Sequence, residues 1–228
     1  MRLFAITPLH VDGNELRRRQ ARYDRLSPAP LQVVLHDLGG DAPTSLDTVE
    51  DIRRSEELVN RAFSGVDPKD YVAAFPDCVL DPAVETLDGR VAVPVFGLLR
   101  LASAFLAGSG RRFGAVTRNR PIAEELKDRI DAYGLHNLFT RVEVLDLTVD
   151  AISDDDAWDD RLGRAVARLA ADGAESILNG CSAVDLRAVP HGVPVVDPTQ
   201  LALSMLAIGL TTNSLPGRRT SASAVGQR

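Results

Sequence analysis

The sequence predicts an α/β fold in which parallel sheets carry helices on both faces, organised as two similar lobes. Two observations predict it. Apolar runs of about five residues alternate with longer amphipathic stretches, the pattern of repeated strand–helix units. The chain also echoes itself. Tyr71-Val72-Ala73-Ala74-Phe75-Pro76-Asp77-Cys78 leads on to Val93-Pro94-Val95-Phe96, and Ser176-Ile177-Leu178-Asn179-Gly180-Cys181 leads on to Val193-Pro194-Val195-Val196. A repeat of about 100 residues means two lobes, because a solenoid would show a period of roughly 20–50 residues. The 228 residues suffice for one large domain or two small ones. The expected division is 1–96 plus 196–213 for the first lobe and 97–195 for the second. Residues 214–228, rich in Ser, Gly and Arg and without periodicity, read as a disordered tail.

The elements follow in order. Arg2–Thr7 reads as a strand, and 13–25 as a helix carrying Leu16 and Tyr23. Leu31–Leu35 is a second strand, and 47–63 a helix with Val49, Ile52, Leu58, Val59 and Phe63 at helical spacing. Tyr71–Phe75 is the third strand. Residues 91–96 are either a short strand or the lead into a helix over 98–106. Arg112–Thr117 is a strand followed by a helix over 122–133, and Arg141–Leu145 a further strand. A helix over 157–171 precedes the strand Glu175–Asn179, and 200–210 closes the fold as a helix.

Composition excludes several function classes. With 45% hydrophobic and 25% charged residues the chain is neither disordered nor collagen-like, and two cysteines do not make a disulfide framework. A net charge of −6 without a basic, aromatic-laced stripe argues against a nucleic-acid partner. No apolar run reaches the ~20 residues of a membrane span. The opening strand, cut short by Pro8, is too short and wrongly flanked to read as a signal peptide. The expectation is a soluble, cytoplasmic protein with no membrane partner. A homo-oligomer is left open.

Chemistry points to the cysteines. Cys78 and Cys181 each follow a parallel strand, where open α/β sheets place their ligand crevices. Each is expected at the start of a helix, whose N-terminus lowers a thiol's pKa and accepts anions. Two thiols across a cleft can take a proton from one face of a carbon and return one to the other, which is acid–base chemistry without a cofactor. An isolated cysteine is usually just a small buried hydrophobe. Matching placement in both lobes favours the functional reading here. The other polar groups read as structural. His10, His36, His136 and His191 lack metal-ligand spacing, so no metal is expected. His36 suits a surface or capping role, and His191 a turn. Asp154-Asp155-Asp156 suits a helix start, and Arg17-Arg18-Arg19 a solvated helix face. No nucleotide-binding glycine motif is present, and Gly108-Ser109-Gly110 is too short to be one.

These residues resemble the aspartate/glutamate/hydantoin racemase superfamily, most closely its hydantoin-racemase-like branch. The resemblance runs from about residue 2 to 210. It rests on Pro43-Thr44-Ser45-Leu46-Asp47, Cys78-x-x-Asp81-Pro82, Val93-Pro94-Val95-Phe96-Gly97, Phe113-Gly114-Ala115-Val116-Thr117 and Gly180-Cys181-Ser182, in this order. None of these is specific alone; the order and the register of both cysteines carry the signal. The resemblance implies two pseudo-symmetric Rossmann-like or flavodoxin-like lobes with the active site in the cleft between them. It implies a cofactor-independent racemase or epimerase acting at the α-carbon of a small carboxylate or hydantoin-type substrate, with Cys78 on one face and Cys181 on the other. Donors around Val79, Thr117 and Ser182 would hold the carboxyl or carbonyl oxygens of the enolate-like anion.

The sequence also departs from the family's pattern. Thr7-Pro8-Leu9-His10 stands where the family offers an Asn-Pro-Asn-(Ser/Thr) type loop, so Thr7 or His10 would make the missing contact. Arg118 follows Thr117 where a second hydroxyl residue is usual, which reads either as a donor to a second anionic group or as a solvated charge. Asn179 stands where a small aliphatic residue is usual, a change that would tie down the loop. Two other readings remain. An arylmalonate-decarboxylase-like enzyme would use Cys181 alone, with Ala74 at the first site if the register slides by four residues. A ligand-binding protein would keep the fold without catalysis.

Overall fold

The computed structural model describes residues 1–87, 89–153, 155–186 and 192–215. It contains two parallel sheets. The first has β1 (Arg2–Ile6) between β2 (Gln32–His36) and β3 (Ala73–Pro76), in the order β2-β1-β3. The second has β4 (Phe113–Thr117) between β5 (Phe139–Val144) and β6 (Ser176–Asn179), with β7 (Val195–Val196) beyond, in the order β5-β4-β6-β7. All named strand pairs are parallel, so each connection is a crossover.

The internal echo is visible in the hydrogen bonds. In the first sheet the Ala74 N–H donates to Pro94 O at 2.9 Å, and Ala74 forms a single parallel bridge with Val95. In the second the Ile177 N–H donates to Pro194 O at 3.0 Å as β7 pairs with β6. Each Val-Pro-Val segment therefore lies beside the strand that leads to a cysteine. Residues 91–96 form that bridge and no full strand. Pro94, which has no N–H to offer a ladder, sits in the middle of the segment.

Helices sandwich both sheets because successive strand residues face opposite ways. Leu3 and Ala5 of β1 pack with Tyr23 of α1 (Gly13–Leu26) and with Leu203 and Leu206 of α7 (Pro198–Thr211). Ile6 packs on the other face against Val59 and Phe63 of α2 (Val49–Ser64). In the second sheet Ala115 faces Ile122, Leu126 and Ile130 of α5 (Arg120–Ala132), and Val116 faces Trp158 and Leu162 of α6 (Asp155–Ala171). The last helix thus returns to the first sheet. Between the sheets lies α4 (Leu98–Gly108), with Leu98 in the core of the first and Leu99, Ala102 and Leu106 packed with Phe113 and Ala115 of the second.

Helix starts are chemically marked. Asp12 caps α1, Thr48 and Asp51 form a capping box on α2, Asn119 caps α5, and Asp197 followed by Pro198 starts α7. The start of α4 is capped from afar. Its N-cap is Gly97, which has no side chain, and the Asp81 carboxylate takes the N–H groups of Leu99 (3.1 Å) and Arg100 (2.8 Å). A Cβ at Gly97 would collide with that carboxylate, so the glycine makes room for the cap. The Asp-Pro of the cysteine motif is therefore a structural tie. The expected tail lies outside the described residues beyond Leu215, as do Asp154 and His191. Among the described residues no helix is long and apolar enough to cross a membrane.

Burial pushes the Asp81 carboxyl up to about 6, against hydrogen bonds from the α4 N–H groups and Tyr133. Asp81 thus binds its proton more tightly in the folded than in the unfolded chain. Its contribution to stability is full below pH ~4 and is lost as pH rises through 6. Between those limits Asp81→Asn should gain on wild type by on the order of 2–3 kcal/mol of unfolding free energy, read by urea denaturation at each pH. A constant difference across that window would show that this carboxyl is not what titrates.

Candidate functional site

The site lies at the C-terminal ends of β3 and β6, the strands that flank β1 and β4. β3 runs into Asp77-Cys78 and β6 into Gly180-Cys181, and the two turns start alike. The Asp77 N–H donates to Ile6 O at the end of β1 (2.8 Å), and the Gly180 N–H to Val116 O in β4 (2.7 Å). A Cβ at Gly180 would meet that same Val116 oxygen, so only glycine lets the Cys181 turn approach β4. Both thiols line one cavity of about 50 Å³, with Asp77, Ser182, Arg19 and Arg118 as its other polar wall groups. Leu9, Leu46, Leu80, Ile122 and Ile152 make most of the rest apolar.

The sequence-derived candidates divide. Cys78, Cys181, Val79, Arg118 and Ser182 line the cavity; Thr7, His10 and Thr117 are not among its lining residues. The Thr7 hydroxyl donates to Leu9 O (2.7 Å), and the His10 Nδ1 pairs with Asp37 Oδ2 (2.8 Å) on an exposed side chain. Asp37 organises this loop, accepting the Val11 and Gly39 N–H groups as well. What the loop offers the cavity is Pro8 and Leu9. Thr117 is fully buried, with its hydroxyl 3.3 Å from Asn119 O. Asn179 donates to Cys181 O at 3.0 Å, so its side chain does hold the turn. His36 stacks on Phe4 (4.5 Å between ring centroids) and bonds the Tyr71 hydroxyl at 3.1 Å.

Arg118 is not a solvated charge. It is 5% exposed and bonds Asp47 Oδ1 at 2.6 Å, while Asn119 donates to Leu46 O at 2.9 Å. These residues of the second sheet clasp the Leu46-Asp47 segment, which precedes α2. Neither cysteine starts a helix. Cys78 enters a turn ahead of the short α3 (Val84–Leu87), and Cys181 enters a turn over 182–183. A helix dipole is therefore not what tunes these thiols.

Sequence reasoning missed the arginines of α1. Arg19 and Arg22 are buried, not solvated. Arg19 Nη1 bonds Asp77 Oδ2 (3.0 Å) and Arg19 Nε bonds Glu15 (2.7 Å), while the Tyr23 hydroxyl takes the other Asp77 oxygen (2.7 Å). Arg22 reaches the segment after Cys181, bonding Val184 O (2.9 Å) and Asp197 Oδ2 (2.5 Å). Arg18 bonds Ala183 O at 3.1 Å, and Arg25 pairs with Asp185 at 2.5 Å. The missed signal was positional: Arg18, Arg22 and Arg25 recur at helical spacing on one face, alongside Tyr23, an apolar neighbour of the core.

Burial pushes both thiols up. Around Cys78 the neighbouring Asp77 and Asp81 charges push the same way, opposed by the Leu80 N–H at 3.4 Å from its sulfur. Around Cys181 the Ala183 N–H and the Arg19 and Arg22 charges oppose burial, and Asp77 adds to it. Among the described residues no group of three or more His, Cys, Asp or Glu side chains could hold a metal.

Replacing Arg22 with Leu removes the cation shared by Asp197, Asp185 and the Val184 carbonyl. It should cost about 3 kcal/mol of folding stability in urea denaturation. A loss below the noise of that measurement would mean the segment after Cys181 is held by other contacts.

The architecture has close counterparts. An allantoin racemase from Klebsiella pneumoniae superposes with a TM-score of 0.79 at 17% identity, over 100% of this chain and 94% of that one. An allantoin racemase from Pseudomonas fluorescens does so with a TM-score of 0.82 at 18% identity, over 100% and 98%. An arylmalonate decarboxylase matches with a TM-score of 0.58 at 18% identity, over 96% of each chain. No curated protein matches the sequence significantly. The Asp/Glu/hydantoin racemase family model matches residues 17–206, from α1 through most of α7 and spanning both cysteine turns, so the chain belongs to the Asp/Glu/hydantoin racemase family of isomerases.

Proposed function

We propose that the protein is a cofactor-independent racemase or epimerase that inverts a carbon next to a carboxylate or carbonyl, using Cys78 and Cys181 as its acid–base pair. One observation carries this reading: two thiols, each from an equivalent turn of a repeated half, line a single cavity. One thiolate takes the α-proton, and the electron pair of the broken C–H bond passes into the adjacent carbonyl as an enolate-like anion. The other thiol then delivers its proton to the opposite face. The thiols end with their roles exchanged, and the reverse reaction begins from that state. The Ser182 hydroxyl is committed to the Asp77 carbonyl, so the backbone around Val79 and Ser182 is what stands at the cavity to receive the oxygens of the anion.

The wall narrows the substrate. Arg118 is committed to Asp47, which removes the reason to expect a second anionic group. The substrate is a small carboxylate or hydantoin-type ring bearing an apolar substituent, matched to Leu9, Leu46, Leu80, Ile122 and Ile152. The decarboxylase alternative needed Ala74 at the first site. Ala74 lies inside β3, 1% exposed, and is not among the cavity's lining residues, whereas Cys78 is.

A panel of single-enantiomer carboxylates and hydantoins in deuterated water tests the reading. The expected result is loss of optical rotation with deuterium appearing at the α-carbon, abolished by Cys78→Ser and by Cys181→Ser. Release of carbon dioxide that survives Cys78→Ser would indicate the decarboxylase. Binding without exchange would indicate a ligand-binding protein. Within the panel, monoanionic substrates should have kcat/KM about 10-fold or more above dicarboxylates of similar size, since an unpaired second charge in this wall loses its hydration. A preference for dicarboxylates would return Arg118 to the role of anion donor.

A further inference from the structure

We infer that Arg19 and Asp77 are positioning residues that decide which thiol is ionised before substrate arrives, so that Cys181 carries the thiolate and Cys78 the proton. The argument begins with placement. Arg19 and Asp77 both line the cavity that holds the two thiols, and they are bonded to each other at 3.0 Å. Their side chains are 5% and 1% exposed, so water does little to screen them. The pair is a fixed dipole with a direction. Its negative end belongs to the residue immediately before Cys78. Its positive end comes from α1, the helix whose Arg18 and Arg22 hold the segment after Cys181.

Each thiol meets a different set of charges. Cys181 feels Arg19 and Arg22 from α1 and Asp77 from the first lobe. Cys78 feels Asp77 and Asp81 from its own turn, and Cys181 across the cavity. Arg118, the remaining cation of the wall, is paired with Asp47. Glu15 and Tyr23 secure the dipole from behind, and Glu15 is itself paired with Arg18. A thiolate next to the guanidinium gains an attractive charge, and one next to two carboxylates gains repulsion. The Ser182 hydroxyl donates to the Asp77 carbonyl at 2.9 Å, which locks the two cysteine turns to each other around this dipole.

The catalytic meaning of this assignment rests on the two-thiol reading above, but ionisation is measured without substrate. Single-thiol variants, Cys78→Ser and Cys181→Ser, are titrated by thiolate ultraviolet absorbance and by the pH dependence of iodoacetamide alkylation. Cys181 should ionise at lower pH than Cys78. Arg19→Met should raise the Cys181 titration by about one unit, a tenfold loss of thiolate at a given pH, and Arg19→Lys should restore most of it. Asp77→Asn should lower the Cys78 titration. If Arg19→Met does not fold, Arg19→Lys and Asp77→Asn still carry the comparison. Cys78 ionising first, or Cys181 unmoved in a folded Arg19→Met, overturns the inference. A titration gap of the expected sign without α-hydrogen exchange on any substrate would leave the inference standing and sink the racemase reading.

Discussion

The structure around the cavity depends on one enclosed cation. Arg19 lies against the interior, where a guanidinium without an anion would cost several kcal/mol. It therefore has to be met by Asp77 and Glu15, and Asp77 in turn takes the Tyr23 hydroxyl. Because Asp77 is the first residue beyond β3, satisfying Arg19 fixes α1 against the end of that strand. Because the Asp77 carbonyl accepts the Ser182 hydroxyl, the same constraint passes to the second lobe. Against the opposing effect of burial, the Asp77 and Glu15 charges leave the Arg19 guanidinium more firmly protonated than an ordinary one.

Polar ties of this kind recur along both sides of the cleft. On one side Arg18 and Arg22 hold the carbonyls of Ala183 and Val184. On the other Arg118 and Asn119 hold Leu46 and Asp47, and Arg129 of α5 forks onto both Glu56 oxygens of α2 at 3.0 Å. Such charged contacts add less free energy than the apolar core does, since their desolvation offsets much of the attraction. Their value is in geometry. They set distance and angle between two turns that each carry a thiol, which apolar contact alone specifies loosely.

The sequence revealed what depends on period. Strands and helices followed from alternation and helical spacing. The two-lobed arrangement followed from the repeated strand, cysteine and Val-Pro-Val segments, which the structure places beside equivalent strands. It revealed little that depends on a distant partner. Arg17-Arg18-Arg19 reads as a solvated face because hydropathy assigns every arginine to water, yet the Asp77 that buries Arg19 lies 58 residues away. Thr7 and His10 occupy the right loop for a ligand contact, but Asp37 engages both, and nothing in the local sequence announces that. The helix start expected after Cys78 failed for a local reason. Asp81 and Ala83 adopt positive φ (49° and 65°), and this keeps the backbone after Cys78 out of a helix until Val84.

A pseudo-symmetric fold does not have to give its two thiols the same environment, and here the backbone itself breaks the symmetry. Positions 77 and 180 are equivalent: each precedes a cysteine, and each donates its N–H to the central strand of its own sheet. Position 77 has room for a carboxylate and for the buried arginine that neutralises it. Position 180 has room for no side chain, because a Cβ there would meet the Val116 carbonyl and the Thr117 methyl. A charge of the Asp77 kind can therefore stand only on the Cys78 side of the cavity. An enzyme that interconverts mirror images needs matched acids and bases on two faces, but it also needs one proton rather than two or none between them. The repeat supplies the match of geometry. Under the proposed two-thiol mechanism, the unequal residues before the two cysteines would supply the means of placing that single proton.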